Sequence, residues 1–303
     1  MNVTIASALP PFSLNLWQDI QVILSYDFMR QALLAGTILS IVAGLVGYFV
    51  VLRHQAFAGE SLSDVAFTGA LGGAVLGINP FLSLIATTVV VALAMGGFGE
   101  RLRGRDVAIG TVLSWVLGLG IFFLSLFTAN VSGTGTGFSG VSVLFGNILG
   151  TSADQVRTIA LVSGGAILAL LLMARPLLFA SLDPDVAAAR GVPVRVLGLA
   201  FMALLAITVS EATLAVGALL VFALLLLPAA IAHQIVTRPF AALALSAVLA
   251  VLFTWIGIAI GFYTGYPSSV CISLLAFVSY VAVVGGSGRL GKITERHRAT
   301  VHV

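Results

Sequence analysis

Apolar segments long enough to cross a lipid bilayer follow one another along most of this chain. Of its 303 residues, 60% are hydrophobic and only 8% are charged, whereas a soluble domain carries roughly 25% charged residues. A hydrocarbon core about 30 Å thick is crossed by roughly 20 apolar residues of helix, and a helix satisfies its own backbone polar groups in lipid. We therefore expect an all-α fold, a polytopic transmembrane helical bundle.

Reading the chain with that length predicts about nine spans, with eight as the alternative count because the sixth and seventh are barely separated. The predicted spans lie near residues 29–52, 61–78, 81–98, 107–128, 155–175, 195–212, 214–231, 240–262 and 268–285. The domain organisation predicted from them is an N-terminal extramembrane or interfacial arm (1–27), a transmembrane domain (28–286) and a basic cytoplasmic tail (287–303).

The basic residues orient these spans. With nine spans and the N-terminus outside, all of the 14 lysines and arginines except Arg30 and Arg157 fall on one side. An excess of Lys and Arg marks the cytoplasmic loops of membrane proteins. We therefore predict that the N-terminus lies outside and the C-terminus in the cytoplasm. The expected surroundings of the chain are membrane lipids, and no nucleic-acid partner is expected.

Two carboxylates interrupt the apolar pattern in "FAGESLSDVAFTG" (57–69). Glu60 and Asp64 are four residues apart, so on a helix they share one face. An ionised acid at membrane depth costs about 2.5–3.5 kcal/mol on insertion scales and usually lines an aqueous path. A divalent cation would offset this cost and the repulsion between the two charges, so the pair predicts a metal site. The alternative is that both acids are solvated at the cytoplasmic mouth of the second span.

Glu211, in "TVSEATLAVG" (207–216), is the third acid within the predicted spans and is expected near the external end of the sixth. Two interpretations stay open for it. It is either an ion-relay or gate residue, and so a weaker candidate for the metal site, or a carboxylate that is solvated at the tight turn to the seventh span.

The cytoplasmic segment "LDPDVAAARGVPVRV" (182–196) differs from everything around it. Asp183 followed by Pro184 is typical of a helix N-cap with proline at the first helical position, and Asp185 favours the positive end of the helix dipole. Gly191 is typical of a helix stop. The segment predicts a two-turn helix, capped at both ends and parallel to the membrane, which suits contact with a cytoplasmic partner.

One stretch imitates a nucleotide site. "GSGRLGK" (286–292) fits part of a phosphate loop, but Ile293 stands where a serine or threonine would bind magnesium. The stretch also follows a membrane helix and not a strand. We therefore expect no ATPase site, no enzymatic activity and no bound cofactor in this chain.

These segments together resemble the permease subunit of the metal-importing ATP-binding-cassette (ABC) transporters, the zinc/manganese/iron family often called ABC-3. The resemblance runs from about residue 25 to residue 285. It is carried by the order and spacing of "SYDFMRQALLAG", "LRHQAFAGESLSDVAFTGALGG", "GRDVAIGTVLSWVLGLGIF", "LFGNILGTSADQV", "SLDPDVAAARGVPV", "AVGALLVFALLLLPAAIAHQI" and "YTGYPSS".

The resemblance implies a permease that forms the path of an importer for divalent metal ions, zinc or manganese, in a bacterial cytoplasmic (inner) membrane. The implied partners are a second permease chain, as a homodimer or a heterodimer, two cytoplasmic ATPase subunits that use ATP, and an extracytoplasmic metal-binding protein. The resemblance also implies that the capped segment is the coupling helix that seats in the ATPase. Its residues would be Asp183, Pro184, Asp185, Ala188, Arg190 and Gly191.

The family typically has glycine and aspartate early in the second span and a histidine four residues on, a pair taken as the ion's site. Here Gly59 is kept, Glu60 replaces the aspartate and Asp64 replaces the histidine. Carboxylates are hard ligands that suit manganese, whereas zinc prefers imidazole or thiolate. Both metals stay open.

Two other functions are alternatives to this one. An ion-coupled secondary carrier could use the same acids, but such carriers usually show internal repeats with broken helices at matching positions, and no such repeat is evident. An ABC permease for another substrate, such as iron or a metal chelate, has a similar design. A bulky chelate, however, gives little reason for acids along a narrow path.

Overall fold

The computed structural model of the chain describes residues 25–99, 105–130, 146 and 148–301. Within these residues the secondary structure is helical, with ten α-helices, a short 3-10 helix at Ile148–Gly150 and no strand. The α-helices are α1 (Asp27–Leu52), α2 (Ala56–Val75), α3 (Pro80–Gly99), α4 (Arg105–Asn130), α5 (Ala153–Leu182), α6 (Pro184–Ala189), α7 (Val194–Val216), α8 (Ala218–Ile235), α9 (Pro239–Thr264) and α10 (Ser268–Val301). Most of the predicted N-terminal arm lies outside the described residues.

Each of the nine predicted spans overlaps one of the long helices. Seven of these, namely α1, α3, α4, α5, α7, α9 and α10, are long and apolar enough to cross a membrane. Helix α8 is apolar but shorter, and α2 is made more polar by its two acids and its serines. The polytopic helical bundle is confirmed, whereas the count of nine spans and their orientation stay predictions.

Helix α1 packs closely against both α8 and α9. A Cβ on Gly47 would overlap the backbone carbonyl of Leu225 in α8, and a Cβ on Gly44 would lie 2.7 Å from the Cα of Ala247 in α9. Glycine lets two helix backbones approach closely in a membrane protein. These two glycines therefore set the position of α1 at the centre of the bundle.

Hydroxyl groups hold α1 and α9 together along the same seam. The buried hydroxyls of Ser40 and Thr254 lie 2.6 Å apart, and Ser246 donates to the carbonyl oxygen of Gly44 over 2.7 Å. The indole N–H of Trp255 donates to the Thr37 hydroxyl, also over 2.7 Å. Each bond satisfies a polar group that would otherwise face lipid or apolar side chains.

A single residue separates α7 from α8. Gly217 has φ 90° and ψ 150°, a conformation that is essentially open only to glycine. Gly146 of the preceding connection, itself at φ +68°, packs onto the backbone at Val216. The break explains why the sixth and seventh predicted spans lie so close in the sequence.

Helix α10 continues to Val301 without interruption. It passes through residue 287, where the cytoplasmic tail is predicted to begin, and it includes the stretch that imitates a phosphate loop (286–292). The backbone of that stretch is thus helical and does not form the loop that would wrap a phosphate group.

Candidate functional site

Helix α2 is enclosed by α3, α4, α7 and α8. Between Ala58 and Gly73 every residue is buried except Glu60, which is exposed, and Asp64, which is partly exposed. Phe57, at the start of the helix, is also exposed. These three positions follow the i, i+3, i+7 spacing of a single helix face. The structure therefore leaves one open strip on α2, and both of its polar members are carboxylates.

Local hydrogen bonds around the strip use main-chain oxygens. The Ser63 hydroxyl donates to the carbonyl oxygen of Glu60 over 2.8 Å, and the Thr68 hydroxyl donates to that of Asp64 over 3.1 Å. No Lys, Arg or His side chain among the described residues lies within ion-pairing distance of either carboxylate. Both carboxylates are thus available to a cation.

The two acids differ in exposure. Glu60 lies about one helical turn after the start of α2 and Asp64 about two turns, and the side chain of Asp64 is the less exposed. The interpretation as solvated residues at the mouth of a span fits Glu60 better than Asp64.

Glu211 lies apart from this strip, between α5 and α7. Its side chain is 2% exposed, and its Oε2 accepts a 2.8 Å hydrogen bond from the Ser163 hydroxyl. The structure does not support the interpretation as a solvated carboxylate, because the side chain is buried. Nor does Glu211 complete a cluster with Glu60 and Asp64, since no three His, Cys, Asp or Glu side chains of the described residues come together as a metal site.

The capped segment folds as its sequence indicates. Oδ1 of Asp183 accepts from the N–H of Val186 over 3.0 Å, and Pro184 is the first residue of α6. At the other end Gly191 has φ +82°. The N–H of Val192 donates back to the carbonyl oxygen of Ala187, which closes the helix.

Helix α6 projects from the bundle with most of its surface open. Of its residues only Ala187 is buried. The guanidinium of Arg190 lies over the ring of Phe179 in the last turn of α5, 5.7 Å from the ring centroid. All six of the predicted coupling positions are exposed: Asp183, Pro184, Asp185, Ala188, Arg190 and Gly191.

Arg53 contacts several helices at the end of the molecule where α6 lies. No sequence pattern indicates a functional role for this residue. Its Nη1 donates to the Ser181 hydroxyl in α5 over 3.2 Å, and its guanidinium lies 5.7 Å from the ring centroid of Phe201 in α7. Both partners are more than 120 residues away, and no local pattern signals such a contact.

Comparisons with known proteins agree on one family. The family model described as the ABC 3 transport family matches residues 25–286. The chain is 30% identical over 277 residues to the manganese transport system membrane protein MntC of Halalkalibacterium halodurans, an alignment that covers 91% of this chain and 93% of that protein. It is 25% identical to the chelated iron transport system membrane protein YfeD of Yersinia pestis, which covers 86% of each chain.

A solved structure shows the same fold. It is described as PsaBC from Streptococcus pneumoniae in complex with Fab, and the matched chain superimposes with a TM-score of 0.76 at 25% sequence identity. The superposition covers 88% of this chain and 94% of the other.

Proposed function

This chain belongs to the ABC 3 transport family, and from that premise we propose that it is the membrane permease subunit of an ATP-driven importer of divalent metal ions, with manganese as the main substrate. The nearly end-to-end match to a protein named for manganese transport supports this substrate.

The observation that carries the proposal is the open strip on α2. Glu60 and Asp64 are the two positions that stay accessible on an otherwise buried stretch of helix, and a charged group in that setting needs either water or a counter-charge. A passing divalent cation supplies the counter-charge. Carboxylate oxygens are hard ligands, so they favour manganese over zinc.

The rest of the assembly follows from the family. A second permease chain completes the path, an extracytoplasmic protein delivers the metal, and two cytoplasmic subunits hydrolyse ATP. Helix α6 contacts the ATPase, which is supported by its capped and exposed geometry. This chain itself contributes no ATPase site. It spans a bacterial inner membrane nine times, with its N-terminus outside.

Iron, free or chelated, is the second candidate substrate. The relative named for chelated iron transport is matched over most of its length, and carboxylates also bind iron. The ion-coupled secondary carrier is disfavoured, because ABC transporters take their energy from ATP.

The test is transport by the reconstituted complex. Proteoliposomes that contain this permease, its ATPase and its metal-binding protein should accumulate manganese only when ATP is enclosed and the binding protein is present. Zinc and iron uptake are measured in the same vesicles. Uptake that follows an ion gradient without ATP would instead identify a secondary carrier.

The substitution Asp64→His tests the metal preference of the strip. It introduces the imidazole that the family typically has at this position, and imidazole is a better ligand for zinc than carboxylate is. We expect the ratio of zinc uptake to manganese uptake to rise in this variant. Glu60→Asp, which keeps a carboxylate, is the control and should leave the ratio near the parent value.

A further inference from the structure

We propose that Arg53 is a positioning residue that links the coupling helix α6 to α2, the helix that carries Glu60 and Asp64. The inference rests on the proposed function, because it concerns how ATP hydrolysis at α6 reaches the metal path. Three contacts at one end of the bundle support it.

The first contact fastens α6 to α5. The Arg190 guanidinium at the end of α6 lies over Phe179, and Phe179 is two residues from Ser181 in the last turn of α5. A single residue, Asp183, separates α5 from α6. A displacement of α6 is therefore passed directly to the turn of α5 that contains Ser181.

The second contact joins that turn to Arg53. The Ser181 hydroxyl donates its one hydrogen to the carbonyl oxygen of Leu177 over 2.6 Å, so its oxygen is left to accept from Nη1 of Arg53. The same guanidinium stacks on Phe201, which is fully buried in α7 and contacts Phe49 of α1. Arg53 thus contacts both α5, which precedes α6 in the chain, and α7, which follows it.

The third contact is the tight turn between α1 and α2. The N–H of Arg53 donates to the carbonyl oxygen of Phe49, and the N–H of Gln55 donates to that of Val50, each over 2.9 Å. His54 between them has φ 54°, a left-handed conformation that is uncommon for any residue other than glycine. Gln55 is 4% exposed and precedes the first residue of α2. Because only His54 and Gln55 separate Arg53 from α2, a displacement of Arg53 also displaces the start of α2.

Arginine can make both of these contacts at once. Its planar guanidinium can donate a hydrogen bond at its edge while its face stacks on an aromatic ring, whereas the lysine ammonium is a strongly hydrated point charge. We therefore expect Arg53→Lys to keep part of the link, through the hydrogen bond, and Arg53→Met to lose all of it while keeping the apolar stem.

Spatial proximity alone does not demonstrate coupling, so the experiment measures coupling directly. Manganese uptake and ATP hydrolysis are recorded in the same proteoliposomes with the whole complex, and the number of ions moved per ATP is compared between variants. For Arg53→Met we expect this ratio to fall about three- to tenfold, while ATP hydrolysis and complex assembly stay near the parent values. Arg53→Lys should restore part of the ratio.

Two further variants complete the design. Ser181→Ala should lower the same ratio by a smaller factor, and the double variant with Arg53→Met should be no worse than Arg53→Met alone, because both changes break one link. Arg157→Met is the matched control. Arg157 is an exposed arginine at the start of α5, 3.3 Å from Asp154, and its loss should leave the ratio unchanged.

The outcomes separate the inference from its premise. If uptake and ATP hydrolysis fall together in Arg53→Met with an unchanged ratio, Arg53 has only a structural role and the inference is overturned. Independent, additive effects of Arg53→Met and Ser181→Ala would also overturn it. If the parent complex does not transport metal when ATP is supplied, the proposed function is wrong, and this inference, which rests on it, is wrong as well.

Discussion

Glu60 and Glu211 show how the same side chain can be placed in two opposite environments. Glu60 lies on an open strip, where its carboxylate can exchange partners, whereas Glu211 is 2% exposed and bonded to Ser163. A buried carboxylate needs fixed partners because its desolvation is costly. The accessible acids are therefore suited to a mobile ion. Glu211 has one fixed partner, the Ser163 hydroxyl of α5, while its Oε1 is buried without a hydrogen-bond partner among the described residues.

The charge of the strip can be removed without changing its shape. Glu60→Gln and Asp64→Asn should still fold and assemble with the ATPase, but manganese uptake should fall about tenfold or more, since the loss of even a group that supports a metal ligand costs about 10–100-fold in affinity or activity. Asp64→Asn should be the more severe of the two because Asp64 lies deeper.

Uptake is measured at matched expression. Asp154→Asn, which removes an exposed carboxylate at the start of α5, is the control and should transport like the parent. If the variant with both amides transports as well as the parent, the strip is only a solvated helix start, and the metal site is elsewhere.

Helix ends and helix contacts depend on glycine at a few positions of this chain. At Gly191 the reason is the backbone, because φ is +82° and no atom lies within 4 Å of where a Cβ would be. At Gly47 the reason is space, because a Cβ would meet the Leu225 carbonyl. Substitutions at Gly191 and at Gly47 therefore test the backbone requirement and the space requirement separately.

Gly191→Val should displace α6 by straining its left-handed end, since this conformation costs roughly 1–2 kcal/mol for residues with a Cβ. We expect metal-stimulated ATP hydrolysis to collapse while the permease still inserts and dimerises. Gly191→Asn is the control, because asparagine tolerates the left-handed region, and it should keep most of the activity. Normal turnover in Gly191→Val would exclude α6 as the coupling helix.

Gly47→Ala should destabilise the bundle by forcing α1 away from α8. Overpacking costs typically about 1–3 kcal/mol, and a backbone carbonyl can yield less than a side chain. Gly165→Ala, on α5 where nothing lies within 4 Å of the added methyl group, is the matched control. The melting temperature of each purified variant in detergent checks the prediction, and equal melting of the two would contradict the close packing of α1 on α8.

At the scale of the whole bundle, hydropathy alone does not determine on which side of the membrane each loop and terminus lies. After Cys271, the single cysteine, is replaced by alanine, new cysteines can report the sides of the membrane. A membrane-impermeant thiol reagent should label Asp185→Cys and Thr300→Cys only from the cytoplasm, and Asp154→Cys only from outside. Labelling of Thr300→Cys from outside would favour eight spans over nine.

The sequence predicted those parts of the fold that depend on neighbouring residues. The long helices follow from apolar runs in lipid, and the ends of α6 follow from Asp183, Pro184 and Gly191, whose effects are local. The strip of Glu60 and Asp64 follows from helical periodicity. Contacts between distant positions, such as Arg53 with Ser181 and Glu211 with Ser163, depend on how the helices pack, and a single sequence carries no periodic signal of that.

The hydrogen bond from Trp255 to Thr37 gives the molecule an optical reporter. The fluorescence of an indole responds to the polarity around it and to whether its N–H has a partner, and this N–H bridges α9 to α1. The chain has two other tryptophans, Trp17 and Trp115, and replacing both with phenylalanine would leave Trp255 as the single indole emitter. Any step of a transport cycle that parts α1 from α9 would therefore change the emission of Trp255 without an added label.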